Sequence, residues 1–201
     1  MRPADEIQLV NDRLVFWQGY DPSVKVDLSS HAYLTPQGWV LIDPIPLREE
    51  VLIELSAEEK IAAILLTNSN HERAAADYRE KSNARIIAHT GAQGAFSVEV
   101  DQWIQDGEYV SGLKAIHLPG FVQGEIALHA PEAGGVMMMG DALINLQSSG
   151  FAVLPDKYCD DPKLAHKSLQ KLLQFSFEVM TFAHGLPIIA DARQRLEQLL
   201  K

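Results

Sequence analysis

Cysteine is almost absent from this chain, with Cys159 standing alone. A lone thiol excludes an intrachain disulfide and any cluster of cysteine metal ligands. Basic residues are also few, 17 against 27 acidic ones, for a formal net charge of −10. No lysine- or arginine-rich run interrupts that balance, so a surface tracking nucleic-acid phosphates is not expected. No apolar stretch is long enough to cross a bilayer. The start, MRPADEIQLVNDRL, lacks the basic-then-apolar pattern of a secretory leader. The expectation is a cytoplasmic protein with neither a nucleic acid nor a membrane as partner.

What is present suits one folded domain over residues 1–201. Apolar residues make up 47% and charged residues 22% of the 201, ordinary for a globular chain with a sizeable core. Residues 7–44 read as antiparallel strands. Leu14–Gly19 and His31–Leu34 are rich in β-branched and aromatic residues, and Pro36-Gln37-Gly38 turns the chain into WVLIDP. Arg48–Lys60 then reads as a helix, Ile61–Thr67 as a buried strand, Glu72–Glu80 as a helix and Ala84–His89 as a strand. That order makes a β-α-β unit with a right-handed crossover. Within 98–110 short strands are expected, with Asp106-Gly107 as a hairpin turn. Further strands are expected at Leu113–Leu118, Glu125–Ala130, Val136–Met139 and Glu178–Phe182, and helices at Pro162–Phe175 and Ala190–Lys201. The segment 143–161 has no assignment. Its Phe151, Leu154 and Tyr158 either line a cleft or pack beneath one.

Polar chemistry concentrates in IAAILLTNSNHER (61–73), where a buried apolar strand ends abruptly in a polar turn, a common position for function in α/β proteins. This segment resembles the T-H-x-H-x-D-H signature of the metallo-β-lactamase superfamily of metal-dependent hydrolases. Laid on that pattern, Thr67 matches, Asn68, Asn70 and Arg73 stand at histidine positions, and Glu72 stands at the aspartate. Other segments resemble the family in the same order. In LIDP, Asp43 matches an aspartate that braces the metal-binding loop. In IHLPGFVQGEIAL (116–128), Phe121 stands where a ligand histidine belongs. In MMMGDALI (137–144), Asp141 matches the metal-bridging aspartate, and in FAHGLP (182–187), His184 matches a metal-binding histidine. The resemblance implies an α/β fold with four layers, an αββα sandwich.

The resemblance leaves Asp141 and His184 as intact ligand positions, with Glu72 as a conservative substitute. Asparagine offers only a neutral oxygen, and arginine and phenylalanine cannot ligate a cation. Arg73 puts a permanent positive charge where a divalent ion would sit, and is expected to pair with Glu72, Asp141 or both. The same stretch has a plainer explanation, since Ser69-Asn70-His71-Glu72 fits an S-x-x-E capping box. His71 is expected to point away from the cleft, because neighbours on an extended segment face opposite sides.

Two functions stay open. In the first there is no dinuclear centre and no metal cofactor, and the cleft binds a small molecule through Arg73, Asn68 and Asn70. In the second, Asp141, His184 and one further histidine hold a single zinc or similar divalent ion. That protein would hydrolyse a small ester, thioester or lactam-like substrate, with Asp141 and Glu72 as its catalytic carboxylates and Glu72 the general base. An exposed apolar strand or helix face would support a homo-oligomer.

Overall fold

Side chains that alternate along each strand divide the apolar residues of this chain among three cores, and the three cores define the layers. The computed structural model describes residues 1–132 and 134–201. Its first half forms one sheet in which β1 (Gln8–Asn11), β2 (Leu14–Asp21), β3 (Val26–Thr35), β4 (Gly38–Ile42), β5 (Ile61–Leu66), β6 (Arg85–His89) and β7 (Gln102–Ile104) lie side by side in chain order. Pairing is antiparallel as far as β4 and parallel from β4 to β7. The parallel part needs crossovers, and α1 (Glu49–Leu55) and α2 (Ala75–Ser82) provide two of them.

The second half adds β8 (Tyr109–Val110), β9 (Leu113–His117), β10 (Ile126–Ala130) and β11 (Val136–Met139). A hairpin of β12 (Leu143–Leu146) and β13 (Gly150–Val153) follows, then α3 (Pro162–Leu169), β14 (Val179–Thr181) and α4 (Ala192–Leu199). The second sheet has the order β14-β11-β10-β9-β8, with β14 parallel to β11.

On β5, Ala63 and Leu65 face the gap between the sheets, while Ile64 and Leu66 face α1 and α2. On β11, Val136 and Met138 face the same gap, and Met137 and Met139 pack with Leu169 of α3 and Leu196 of α4. Helices, sheet, sheet, helices is therefore the layer order, the αββα sandwich. No helix among the described residues is long and apolar enough to cross a membrane.

Several element ends differ from the sequence reading, each for a local reason. The first helix stops at Leu55, where the Ser56 hydroxyl donates back to Leu52 O (2.8 Å). The second begins at Ala75 rather than Glu72, because Arg73 has φ 41°, which a right-handed helix does not admit. Asp106-Gly107 is not a hairpin turn, since it links β7 of one sheet to β8 of the other. The hairpin turn is Ser111-Gly112, with φ of 49° and 85°, both positive as a two-residue type I′ turn requires. The unassigned 143–161 segment holds the β12–β13 hairpin.

The turn at Pro119-Gly120 lies against the start of α3, whose cap is Asp161 accepting from Leu164 N (3.1 Å). Gly120 has φ 98°, and a Cβ there would stand 2.2 Å from Ala165 N and 2.6 Å from Asp161 O. Backbone cannot yield as a side chain does. Gly120→Ala is therefore expected to lower stability by about 1–3 kcal/mol in urea titration; an unchanged midpoint would contradict this packing.

Candidate functional site

The carboxyl ends of parallel strands are where an α/β sheet leaves room for a ligand, and here such ends meet from both sheets. Asp43 follows β4, residues 67–74 follow β5, Gly140–Ala142 follow β11 and Phe182–Gly185 follow β14. Between them opens a cavity of about 840 Å³, large enough for a small organic molecule. Asn70, His71, Arg73, Asp141 and His184 form its polar floor.

Asp43 organises that floor although it is fully buried. Its Oδ1 accepts from Thr67 N (2.8 Å), and its Oδ2 accepts from Thr67 Oγ1 (2.5 Å) and His71 Nδ1 (2.9 Å). Burial alone would push this carboxyl up, but His71, Arg73 and Thr67 outweigh it and hold Asp43 below the usual range. Because a carboxylate only accepts, Nδ1 of His71 carries the proton. That orientation aims Nε2 of His71 into the cavity, 3.1 Å from Asp141 Oδ1. His184 arrives from the opposite sheet, with Nε2 also 3.1 Å from Asp141 Oδ1 and Nδ1 3.3 Å from the Asp27 carbonyl oxygen.

The sequence reading turned His71 away from the cleft, and the structure corrects it. Residues 67–71 are not extended. Asn68 Oδ1 accepts from Asn70 N (2.9 Å) and Asn68 O accepts from His71 N (3.2 Å), a tight turn that abolishes strand alternation. The Asn-Ser-Asn run was the available signal.

Asp141 Oδ1 is buried, and neither imidazole is aligned on it as a hydrogen bond. One carboxylate oxygen and two Nε2 atoms, all within 4.8 Å of one another, thus converge on a shared point without satisfying each other. That is the donor set a single divalent cation requires. Burial would raise Asp141, but His71 and His184 overcome it and keep the carboxyl well below its ordinary range. Burial likewise lowers His71, yet Asp141 and Asp43, opposed by Arg73, leave it raised to about 9.

Nothing in the sequence reading marked Glu125. Fully buried immediately before β10, it accepts from Ala142 N (2.9 Å) and from Asn68 Nδ2 (2.7 Å). The same Asn68 amide donates to Asp141 Oδ2 (3.2 Å) and so bridges two carboxylates. Burial and Asp141 together push Glu125 up to about 8. Gly140 makes this contact possible, because a Cβ there would lie 2.5 Å from Thr67 Oγ1 and 2.6 Å from Glu125 Oε1. A single acid opening an otherwise apolar strand was the clue.

Arg73 and Glu72 part company. The guanidinium donates to three backbone carbonyls, Ser29 O (2.6 Å), Asp43 O (2.9 Å) and Ala183 O (3.3 Å), and its Nη2 lies 3.3 Å from His71 Nε2. The expected ion pairs of Arg73 with Glu72 and Asp141 are not formed. Glu72 faces out of the cleft, held by Ser97 N (2.6 Å) and the Ser97 hydroxyl. It is therefore neither a helix cap nor a base at this floor. Asn68 lies beneath the floor and Asn70 stands at its edge. Phe121 is buried in the core beneath the second sheet. Among the described residues one group of candidate metal ligands comes together, His71, Asp141 and His184.

A sequence profile described as the metallo-beta-lactamase superfamily matches residues 8–201. Among solved structures, a metallo-beta-lactamase from Pontibacter korlensis is similar over 97% of this chain and 98% of that one, with TM-score 0.76 and 15% identity. The DIM-1 metallo-beta-lactamase is similar over 97% and 96%, with TM-score 0.74 and 11% identity. TTHA1623, in a di-iron-bound form, is similar over 81% and 89%, with TM-score 0.62 and 24% identity. At these identities the likeness is one of fold. No curated protein matches the chain.

The titrating floor sets a pH dependence. His71, raised from 6.5 to about 9, contributes stability that is complete below pH 6.5 and lost as pH rises through about 9. Glu125, raised from 4.5 to about 8, acts in the same direction as pH rises from 4.5 through about 8. For chelator-treated protein the unfolding temperature should fall steadily between pH 6.5 and 9, and less steeply in Glu125→Gln. A flat profile in differential scanning fluorimetry would contradict these assignments.

Proposed function

This chain belongs to the metallo-beta-lactamase superfamily, and from that premise we propose that it is a single-metal hydrolase of small carbonyl substrates, its second metal site given up. The observation that carries the reading is the third ligand. From the sequence only Asp141 and His184 were secure, too few for catalytic zinc; His71 joins them at the pocket floor. Two imidazoles and one carboxylate suit zinc, manganese or ferrous iron.

A divalent ion held by His71 Nε2, Asp141 Oδ1 and His184 Nε2 would supply Lewis acidity and an activated water. The chain's own residues prepare that site. Asp43 keeps the proton on His71 Nδ1 and fixes the ring, the carboxylate–histidine arrangement that orients metal ligands. The Asp27 carbonyl does the same for His184. Asn68 ties down Asp141 Oδ2 and leaves Oδ1 facing the shared point. At the edge of the floor, the Asn70 carboxamide has no protein partner among the described residues and is free to hold a substrate carbonyl. Apolar residues, Leu28, Val122 and Ile144 among them, line the approach to that floor.

A second reading rests on Arg73 and Asn68. The Arg73 Nη2 group beside His71 Nε2, and the Asn68 amide between Glu125 and Asp141, already bring positive ends to the carboxylates. On that reading the pocket binds a small molecule with no ion.

Metal analysis of protein purified without chelator and then titrated with zinc, manganese or ferrous iron separates the two. One equivalent per chain is expected, absent in His184→Ala, with Asp43→Asn binding about 10- to 100-fold more weakly while remaining folded by circular dichroism. Ester hydrolysis should disappear in His184→Ala and persist in Glu72→Gln. Two equivalents per chain would defeat the proposal; none at saturating metal would favour the second reading.

A further inference from the structure

Resting on the hydrolase reading, the walls of the same cavity name a substrate class: we infer that this site takes a neutral, largely apolar carbonyl compound, an ester or amide with an acyl or aromatic body, and not an anion. The walls are aliphatic and aromatic, with Leu28, Val122, Ile144, Leu146 and Leu154 among them and Tyr158 at the mouth. Apart from the three residues that would hold the ion, the charged groups of the lining among the described residues are Asp21 and Arg73. Arg73 is the one arginine or lysine of that lining among the described residues, and its guanidinium is already engaged by Ser29 O, Asp43 O and Ala183 O. An incoming carboxylate or phosphate would have to pull those N–H groups from buried carbonyls, leaving the carbonyls unpaired.

Asp21 repels the same ligand as it enters the cavity. Asp21 stands at the rim, its oxygen accepting from Ser23 N (2.9 Å) and Ser23 Oγ (2.7 Å), and Asp141 stands at the floor. Among the described residues Asp21 has no lysine or arginine beside it in the lining to reverse its sign. A neutral ligand meets no such barrier, and each methylene it buries against the walls adds affinity. The volume of about 840 Å³ leaves room for a body of some length beyond the carbonyl.

The test compares p-nitrophenyl esters of matched acyl length on metal-loaded protein, from butyrate to octanoate, with p-nitrophenyl esters whose acyl chain ends in a carboxylate. For the neutral series kcat/KM should rise by about three- to fourfold per added methylene until the cavity is full. Carboxylate-ended partners should be slower by at least about tenfold, and Val24→Lys at the mouth should narrow that gap. Equal or faster turnover of the carboxylate-ended esters would overturn the substrate class while leaving the hydrolase reading intact. In parallel, displacement of the neutral fluorophore N-phenyl-1-naphthylamine by the matching primary amides and by the free dicarboxylates reads binding alone. Amides displacing it without any ester being turned over would support the class and defeat the hydrolase reading. Preferential displacement by dicarboxylates would overturn the class.

Discussion

A carboxylate sealed from water, Asp43, is the constraint on which the rest of the site depends. A charge in that position is tolerated only if every lone pair facing the protein finds a donor. Thr67 and His71 provide those donors. Satisfying Asp43 therefore does three things at once. It locks the end of β4 to the end of β5, folds residues 67–71 into a tight turn, and fixes which nitrogen of His71 carries hydrogen. The direction in which Nε2 points is a consequence of the last of these. Backbone geometry bears the signature of the constraint, for Asp43 itself has φ 48°, outside the ordinary regions for a residue with a side chain.

Charge is balanced over the floor as a whole rather than pair by pair. Asp43 and Asp141 bring two negative charges to buried positions, and Glu125 lies just beneath them. Arg73 answers from the side while giving its hydrogen bonds to carbonyls of both sheets. It acts as a clamp across the sandwich as much as a counter-charge. Asn68 does the finer work, offering two N–H directions from one amide to two carboxylates. Around Asp141 Oδ1 and at the Asn70 carboxamide the pocket offers polar groups that have no hydrogen-bond partner among the described residues.

The architecture was legible in the sequence because it rests on period and punctuation. Apolar runs at 61–66, 126–130 and 136–139 became buried strands, and the Pro-Gly and Gly-Gly breaks became turns. Asp141 and His184 could be placed from their flanking motifs. Three features of the site were not legible. The inward turn of His71 depends on an Asx turn that overrides strand alternation. Glu72 is diverted by Ser97, twenty-five positions onward, a contact no local pattern encodes. Glu125 matters only because Gly140 leaves room for it beneath Thr67. Each turns on a long-range contact or a single side-chain hydrogen bond.

The three converging side chains come from three separate loops, after β5, after β11 and after β14, and the strands beneath them are held by cores that contain none of the three. Two hydrogen bonds nonetheless tie these loops to one another, Asn68 Nδ2 to Asp141 Oδ2 and Arg73 Nη2 to Ala183 O. Asn68 and Arg73, both from the loop after β5, thus brace the two loops that carry Asp141 and His184. In such a scaffold a replacement in the loop after β5 is felt in the other two, although the sandwich beneath them stays as it was.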